Sequence, residues 1–160
     1  MIVCVPWDNA DATALRWAQL RDVTARYQAP MPATDPEPHG LVAMVVAYVD
    51  GVPAACGALV DVTGQEPEFG VARTAEVRRV YVDPQFRGQG LARQVMQTLD
   101  AQAQQAGVAQ LVLASGTAQP ESVALYVSEG FEPMSPYGVN KQYPTSLFFW
   151  RALNGAALSA

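Results

Sequence analysis

The feature that most constrains the fold of this chain is a glycine-rich turn between a strand-like run and an amphipathic helix. The alternating and β-branched residues of 71–82 predict a long strand. After Asp83 and Pro84, glycines occupy positions 88 and 90. Apolar residues then recur at helical spacing to about residue 106, namely Ala92, Val95, Met96, Leu99 and Ala103. A strand that leads directly into such a helix predicts a sheet with helices on its faces, which is the α/β class.

Further patterns place this unit in a larger sheet. The runs 41–49 and 53–62 flank Asp50-Gly51, a strong signal for an antiparallel hairpin. The other predicted elements are a first strand over 1–5, a helix over about 11–27, a buried strand over 109–114, a helix over 120–130 and a final strand over 147–152.

The length and composition of the chain describe one ordinary domain. It has 160 residues, 50% hydrophobic and 16% charged, so we expect a single domain over 1–160. The formal net charge is -5 and Lys141 is the only lysine, which argues against a nucleic-acid partner. No apolar run approaches the roughly 20 residues of a membrane-spanning helix, and the first residues lack a basic start and a long apolar stretch. We therefore expect a cytoplasmic protein without a membrane partner.

Several kinds of catalytic site are excluded by what the sequence lacks. His39 is the only histidine, so neither a Ser-His-Asp site nor a multi-histidine zinc site is expected, and we predict no metal. Cys4 and Cys56 lie in apolar, strand-like surroundings that indicate buried reduced thiols. The segment 29–40 holds four prolines and is predicted as a surface loop, either the wall of a substrate site or a plain connection.

The glycine-rich turn has the composition of a phosphate-binding site. Glycines at 88 and 90 leave the backbone open to a phosphate, and the first turn of the next helix presents unpaired N–H groups. Arg87 adds a guanidinium beside them. No Gly-Lys-Ser/Thr follows, and the third glycine of a dinucleotide fingerprint is missing. The turn therefore indicates a diphosphate site, with an ATP site disfavoured.

A second motif follows this turn. The first motif is Gln85-x-x-Gly88-x-Gly90, and the second is Ala124-Leu-Tyr-Val-Ser-Glu-Gly-Phe131. Together they resemble the acetyl-CoA signature of the GNAT superfamily of N-acyltransferases, and the runs 76–82 and 116–121 resemble its bacterial small-molecule branch. The resemblance implies one GNAT-type domain with a mixed, mostly antiparallel sheet of six or seven strands and about four helices.

The resemblance also implies how acetyl-CoA, the co-substrate of that family, is held. In the family, the strand matching 76–82 is bulged and splayed from its neighbour, which frees its main chain for the pantetheine arm. Gln119 stands where many relatives have an asparagine that reaches this arm, and Ser122 is small enough for the cofactor to pass. The implied cofactor-binding residues are Val80, Tyr81, Val82, Arg87, Gly88, Gln89, Gly90, Leu91, Ala92, Gln119 and Ser122.

Two residues are candidates for proton transfer. The resemblance gives Tyr126 the role of the acid that protonates the departing CoA thiolate, although helical spacing with Val123 also fits a core residue. Glu76 is our candidate base for the incoming amine. The alternative for Glu76 is a structural ion pair with Arg78 or Arg79.

The sequence thus predicts an acetyl-CoA-dependent N-acetyltransferase that acts on a primary amine of a small molecule or peptide by direct attack in a ternary complex. The alternative is a module on the same fold that binds or senses acyl-CoA without turnover. Tyr137 and Tyr143 either line the acceptor pocket or pack under the last strand. The apolar run 147–150 is expected to expose a strand edge, and similar proteins often pair through that region, so a homodimer is a further expectation, although no motif requires it.

Overall fold

The computed structural model describes residues 1–153 as a seven-stranded sheet with helices on both faces. The strands are β1 (Ile2–Cys4), β2 (Leu41–Val49), β3 (Val52–Asp61), β4 (Thr74–Val82), β5 (Gln110–Gly116), β6 (Glu132–Pro133) and β7 (Ser146–Ala152). The α-helices are α1 (Ala10–Tyr27), α2 (Leu91–Gln105) and α3 (Pro120–Ser128). Short 3-10 helices cover Pro67–Phe69, Pro84–Phe86 and Val139–Gln142. No helix in this part of the chain is long and apolar enough to span a membrane.

The strand order is β1-β2-β3-β4-β5-β7-β6, and every pairing is antiparallel except that of β4 with β5. The predicted hairpin is present as β2 and β3. Asp50 and Gly51 at its tip have φ of 50° and 76°, the positive values of a type I′ turn. The mixed, mostly antiparallel GNAT-type sheet that the sequence predicted is therefore confirmed.

The helix count and one short strand differ from expectation. The described residues hold three α-helices where about four were expected. The longest irregular segment, 29–40, is the predicted loop, and its four prolines prevent a further helix there. The two-residue β6 is too short to produce a sequence pattern.

Two predicted environments were wrong. The run near Leu147 is not a free strand edge, because β7 lies between β5 and β6, with Phe149 opposite both Leu113 and Pro133. The homodimer stays a prediction, but an exposed strand edge no longer supports it.

The two cysteines lie in different environments, although both were expected to be buried. Cys4 is exposed, since β1 is three residues long at the sheet edge, whereas Cys56 is buried and burial raises its pKa to about 12.

The core is divided between the two faces of the sheet because side chains alternate along each strand. Val45 and Leu59 point to the face covered by α2, where they pack with Val95 and Leu99. Met44 points to the opposite face. That face is covered at one end by α1, and at the other by an aromatic cluster of Phe69, Tyr137 and Phe148.

A β-bulge interrupts β4 near its middle. Ala58 pairs with Arg78 and Cys56 pairs with Tyr81, so two residues of β4 stand opposite one residue of β3. One of those two residues is Arg79, whose φ of 59° is a left-handed value that is unusual for a residue with a side chain. The bulge therefore stores backbone strain that surrounding contacts must offset.

Beyond the first third of its length, β4 also separates from β5. The parallel pairing runs only from Thr74 opposite Gln110 to Glu76 opposite Val112. The rest of β4, which carries the bulge, has no strand partner on that side within residues 1–153. The sheet is consequently open between the ends of β4 and β5, as the resemblance implied.

A buried ion cluster ties the proline-rich loop to the bulge. Asp35 in that loop accepts hydrogen bonds from Arg16 Nε at 2.8 Å and Arg79 Nη2 at 2.9 Å. The side chains of Arg16 and Asp35 are only 2% and 4% exposed. Arg16 also donates to the Trp7 carbonyl at 2.7 Å. One carboxylate thus joins α1, the loop and the bulged strand.

Replacing Asp35→Asn should destabilise the protein by about 3–5 kcal/mol, because it leaves two arginines beside a neutral group, one of them fully buried. The free energy of unfolding from denaturant titration measures this loss. Asp61→Asn is the matched control, since its partner Arg73 is half-exposed, and it should cost about 1 kcal/mol or less. Equal effects of the two substitutions would show that the buried cluster does not hold the loop.

Candidate functional site

Two clefts open on the α1 side of the sheet and meet beside that helix. The first, which we call the glycine-turn cleft, has a volume of about 530 Å³ and lies against the end of β4 and the start of α2. The second, which we call the wide cleft, has a volume of about 1000 Å³ and lies against the start of β4 and the aromatic cluster. Gln19, Val23 and Gln119 line both clefts, so the two spaces share a wall.

The glycine turn presents unpaired backbone donors to the first cleft. Gly88 and Gly90 both have positive φ, of 80° and 78°, and an added Cβ at either would meet no atom within 4 Å. Gly90 caps α2 without a side chain, and the first hydrogen bond of the helix is donated by Gln94 N–H. The preceding N–H groups, including those of Leu91 and Ala92, are therefore available to an anion.

The free end of β4 forms the adjoining wall. Val80, Tyr81 and Val82 line the glycine-turn cleft. Arg87 lines it too, and its Nε donates to the Val82 carbonyl at 3.0 Å. This bond leaves the two Nη groups of Arg87 without a hydrogen-bond partner in the described residues, beside the anion-binding turn.

Helix α3 supplies the opposite wall with Gln119, Ser122 and Tyr126. Tyr126 is 8% exposed, and its ring packs edge-on against Phe131 at 6.0 Å between centroids. Burial raises the pKa of Tyr126 to about 12, so its phenol stays protonated across the physiological range. Tyr126 thus belongs to the core and also lines the cleft with a protonated phenol, while its role as the acid stays a prediction.

A tyrosine of α1 fixes Gln119, one of the three residues shared by the two clefts. Tyr27 Oη donates to Gln119 Oε1 at 3.0 Å and accepts from Ala118 N–H at 3.3 Å. This arrangement requires a glycine at 116, because an added Cβ there would lie 1.9 Å from Tyr27 Oη. Arg26, one residue before, donates to the Ala118 carbonyl and forms ion pairs with Asp22 and Glu121. Of the partners of Arg26, only Asp22 lies at a local helical spacing, while those on α3 and the preceding loop are remote in the chain and left no sequence signal.

Glu76 lies in the wide cleft, with a side chain 15% exposed. Its Oε1 accepts from Arg78 Nε, and its Oε2 accepts from Tyr137 Oη at 2.7 Å. Tyr137 packs edge-on against Phe69 and Phe148, and burial followed by the Glu76 carboxylate raises its pKa. The sequence left Glu76 as either a catalytic base or a partner of Arg78 or Arg79, and the structure shows the ion pair with Arg78.

The predicted site residues divide between the clefts. Ten of the eleven implied cofactor-binding residues and Tyr126 line the glycine-turn cleft, while Gln89 does not. Glu76, Tyr137 and Tyr143 line the wide cleft, as do Ala29 and Pro30 of the proline-rich loop. His39 lines neither.

A bulged strand, an open sheet and a helix that begins behind a glycine turn without a side-chain cap define an acyltransferase of the GNAT type. The model of the Acetyltransferase (GNAT) family matches residues 7–131. The chain belongs to this family.

Relatives agree with that assignment. An IAA acetyltransferase of Azospirillum brasilense is 32% identical over 112 residues, which are 70% of this chain and 69% of that protein. A Klebsiella pneumoniae protein assigned as an acyl-CoA N-acyltransferase superposes with a TM-score of 0.74 at 26% identity, covering 96% of this chain and 97% of that one. An Elizabethkingia anophelis GNAT acetyltransferase solved with acetyl-CoA bound gives a TM-score of 0.67 at 15% identity, with coverage of 96% and 97%.

Replacing Gly116→Ala should destabilise the protein by about 1–3 kcal/mol, because the new methyl group displaces the Tyr27 ring. In a Tyr27→Ala background the same change should cost about 1 kcal/mol or less, since the clash is gone. A double-mutant cycle from denaturant titrations measures this coupling. Additive costs would mean that Tyr27 does not require the glycine.

Proposed function

We propose that this chain is an acetyl-CoA-dependent N-acetyltransferase that acetylates a primary amine of a small molecule or peptide in a ternary complex. The observation that carries the proposal is the shared wall at Gln19, Val23 and Gln119, where a cleft with a phosphate-type turn meets a larger cleft with a carboxylate. Two substrates that bind separately would have their reacting ends next to each other at this wall.

The glycine-turn cleft fits acetyl-CoA, the proposed acyl donor, in three respects. The unpaired N–H groups at the start of α2 and the free Nη groups of Arg87 suit a pyrophosphate. The edge of β4 at Val80 and Val82 that faces away from β3 suits a pantetheine arm that adds to β4 as a strand does, with Arg87 already bound to the Val82 carbonyl. Gln119 and Ser122 would border this arm from α3. Acetyl-CoA, when bound, supplies an activated acyl carbon.

Glu76 and Tyr126 would serve the two proton transfers. Glu76, directly or through a water, accepts a proton from the acceptor ammonium, and the freed amine attacks the thioester carbonyl. The new C–N bond forms as the C–S bond breaks, and the nitrogen passes its second proton through water to Tyr126 as the Tyr126 hydroxyl donates its own proton to the departing thiolate. The raised pKa of Tyr126 keeps this proton in place until the thiolate leaves.

The wide cleft is our proposed acceptor site. Its volume of about 1000 Å³ and its aromatic side chains suit a small organic amine. The Azospirillum brasilense relative is named for IAA, a small molecule, and we extend that class of acceptor to this chain.

Tyr126→Phe should lower kcat about 100-fold or more while the Kd for CoA changes little, because only the donated proton is lost. Release of free CoA thiol from acetyl-CoA, followed across a panel of amines, amino acids, polyamines and short peptides, measures kcat, and calorimetry measures Kd. Tyr48→Phe is the matched control, since Tyr48 lies on β2 and lines neither cleft. CoA binding without acceptor-dependent thiol release in the wild type would favour the acyl-CoA-binding module instead.

Glu76→Gln should lower kcat/KM about 100-fold near neutral pH and make the rate rise steeply with pH, because only acceptor that has already lost its proton can then react. The same thiol assay between pH 6.5 and 9.5 measures the slope. Glu66→Gln alters another carboxylate of the wide cleft and should leave the slope unchanged. Parallel pH profiles for the wild type and Glu76→Gln would remove Glu76 from the base role.

A further inference from the structure

Arg78 is the cation of the wide cleft that the proposed reaction does not use. Its side chain is 38% exposed, and its Nε donates to Glu76. Its two Nη groups make no hydrogen bond or ion pair within residues 1–153. Arg79, the other arginine lining this cleft, is bound to Asp35 in the buried ion cluster. Arg78 thus retains four of its five N–H donors beside the proposed acceptor site.

The free edge of this guanidinium is held in a defined orientation. Glu76 is itself fixed, because its second oxygen accepts from the buried Tyr137. With Nε committed to Glu76, the planar edge formed by Nη1 and Nη2 is left for a ligand. Such an edge donates two parallel hydrogen bonds that match the two oxygens of a carboxylate.

The contact between Arg78 and Glu76 also sets the distance between the acceptor's two polar groups. An amine that gives its proton directly to Glu76 and a carboxylate that binds the Nη edge lie close together, since their protein partners touch, and a separation of one or two carbon atoms fits that arrangement. That is the spacing of an α- or β-amino acid. Phe69, Tyr137 and Tyr143 line the same cleft and suit an apolar or aromatic side chain.

We propose that the Nη edge of Arg78 is a carboxylate subsite and that the acceptor is an amino acid with an apolar or aromatic side chain. This inference rests on the proposed function, because it takes the wide cleft as the acceptor site. It narrows the acceptor from any small amine to one that carries a carboxylate next to the reacting nitrogen.

The test compares three acceptors that differ only at the carboxylate: phenylalanine, phenylalaninamide and phenethylamine. Wild-type kcat/KM, compared at equal concentration of unprotonated amine, should be about 10- to 100-fold higher for phenylalanine than for the other two, the range expected for hydrogen bonds to a charged group. Equal values for the three acceptors would overturn the subsite.

Arg78→Met should abolish this preference. The substitution also removes a partner of Glu76, so all three rates will fall, but the ratio between acceptors cancels that common loss. Arg78→Lys should retain part of the preference, because the charge remains without the planar edge. Lys141→Met is the control, a nearby cation that does not line the cleft, and should leave the ratio at its wild-type value. A preference that survives in Arg78→Met would assign carboxylate recognition elsewhere.

A binding measurement separates this inference from the proposed function. Calorimetry of phenylalanine with the CoA-saturated protein should show binding in the wild type that weakens about tenfold or more in Arg78→Met. Binding of this kind without turnover of any acceptor would contradict the transferase and support the subsite. Turnover of phenethylamine with no detectable binding or preference for phenylalanine would support the transferase and overturn the subsite.

Discussion

The contact of one buried carboxylate with two arginines is the constraint on which the rest of the structure depends. Asp35 is the only charged partner that Arg16 and Arg79 have within residues 1–153. It holds Arg79 in the left-handed conformation that the bulge needs, and it holds the proline-rich loop against α1. Since unpaired buried charges are costly, the three residues can be satisfied only together. The loop, the helix and the bulge therefore form as one unit.

The bulge allows a single strand to serve two different chemical environments. Before it, Glu76 and Arg78 lie on the wide cleft, in contact with each other. After it, Val80 and Val82 lie on the glycine-turn cleft, with a main-chain edge that no strand covers in the described residues. The pairing of β4 with β5 ends at Glu76, before the bulge, so the sheet is open along both the bulge and the end of β4. The strain at Arg79 is the local cost of a strand that lines two clefts.

Much of the fold and of the candidate site could be predicted from sequence, and the exceptions have a common cause. The hairpin at Asp50-Gly51, the helix after Gly90 and the loop over 29–40 depend on local backbone preferences and apolar periodicity, and all three are present. The choice of Arg78 as the partner of Glu76, and the role of Asp35, depend on contacts made in three dimensions. Asp35 is 19 residues from Arg16 and 44 from Arg79, and no pattern within a segment reports such pairs. The wrongly predicted free edge near Leu147 is of the same kind, because the covering strand β6 has only two residues.

Because β4 pairs with β5 only at its start, the sheet consists of two smaller sheets joined at one end. Four strands lie on one side of that seam and three on the other, and three residue pairs carry the backbone hydrogen bonds between them. A molecule that lies in the opening and bonds to the uncovered edge of β4 takes the place of a missing strand. For the proposed transferase that molecule would be acetyl-CoA, and the stability of the folded protein would then rise with the concentration of its own substrate.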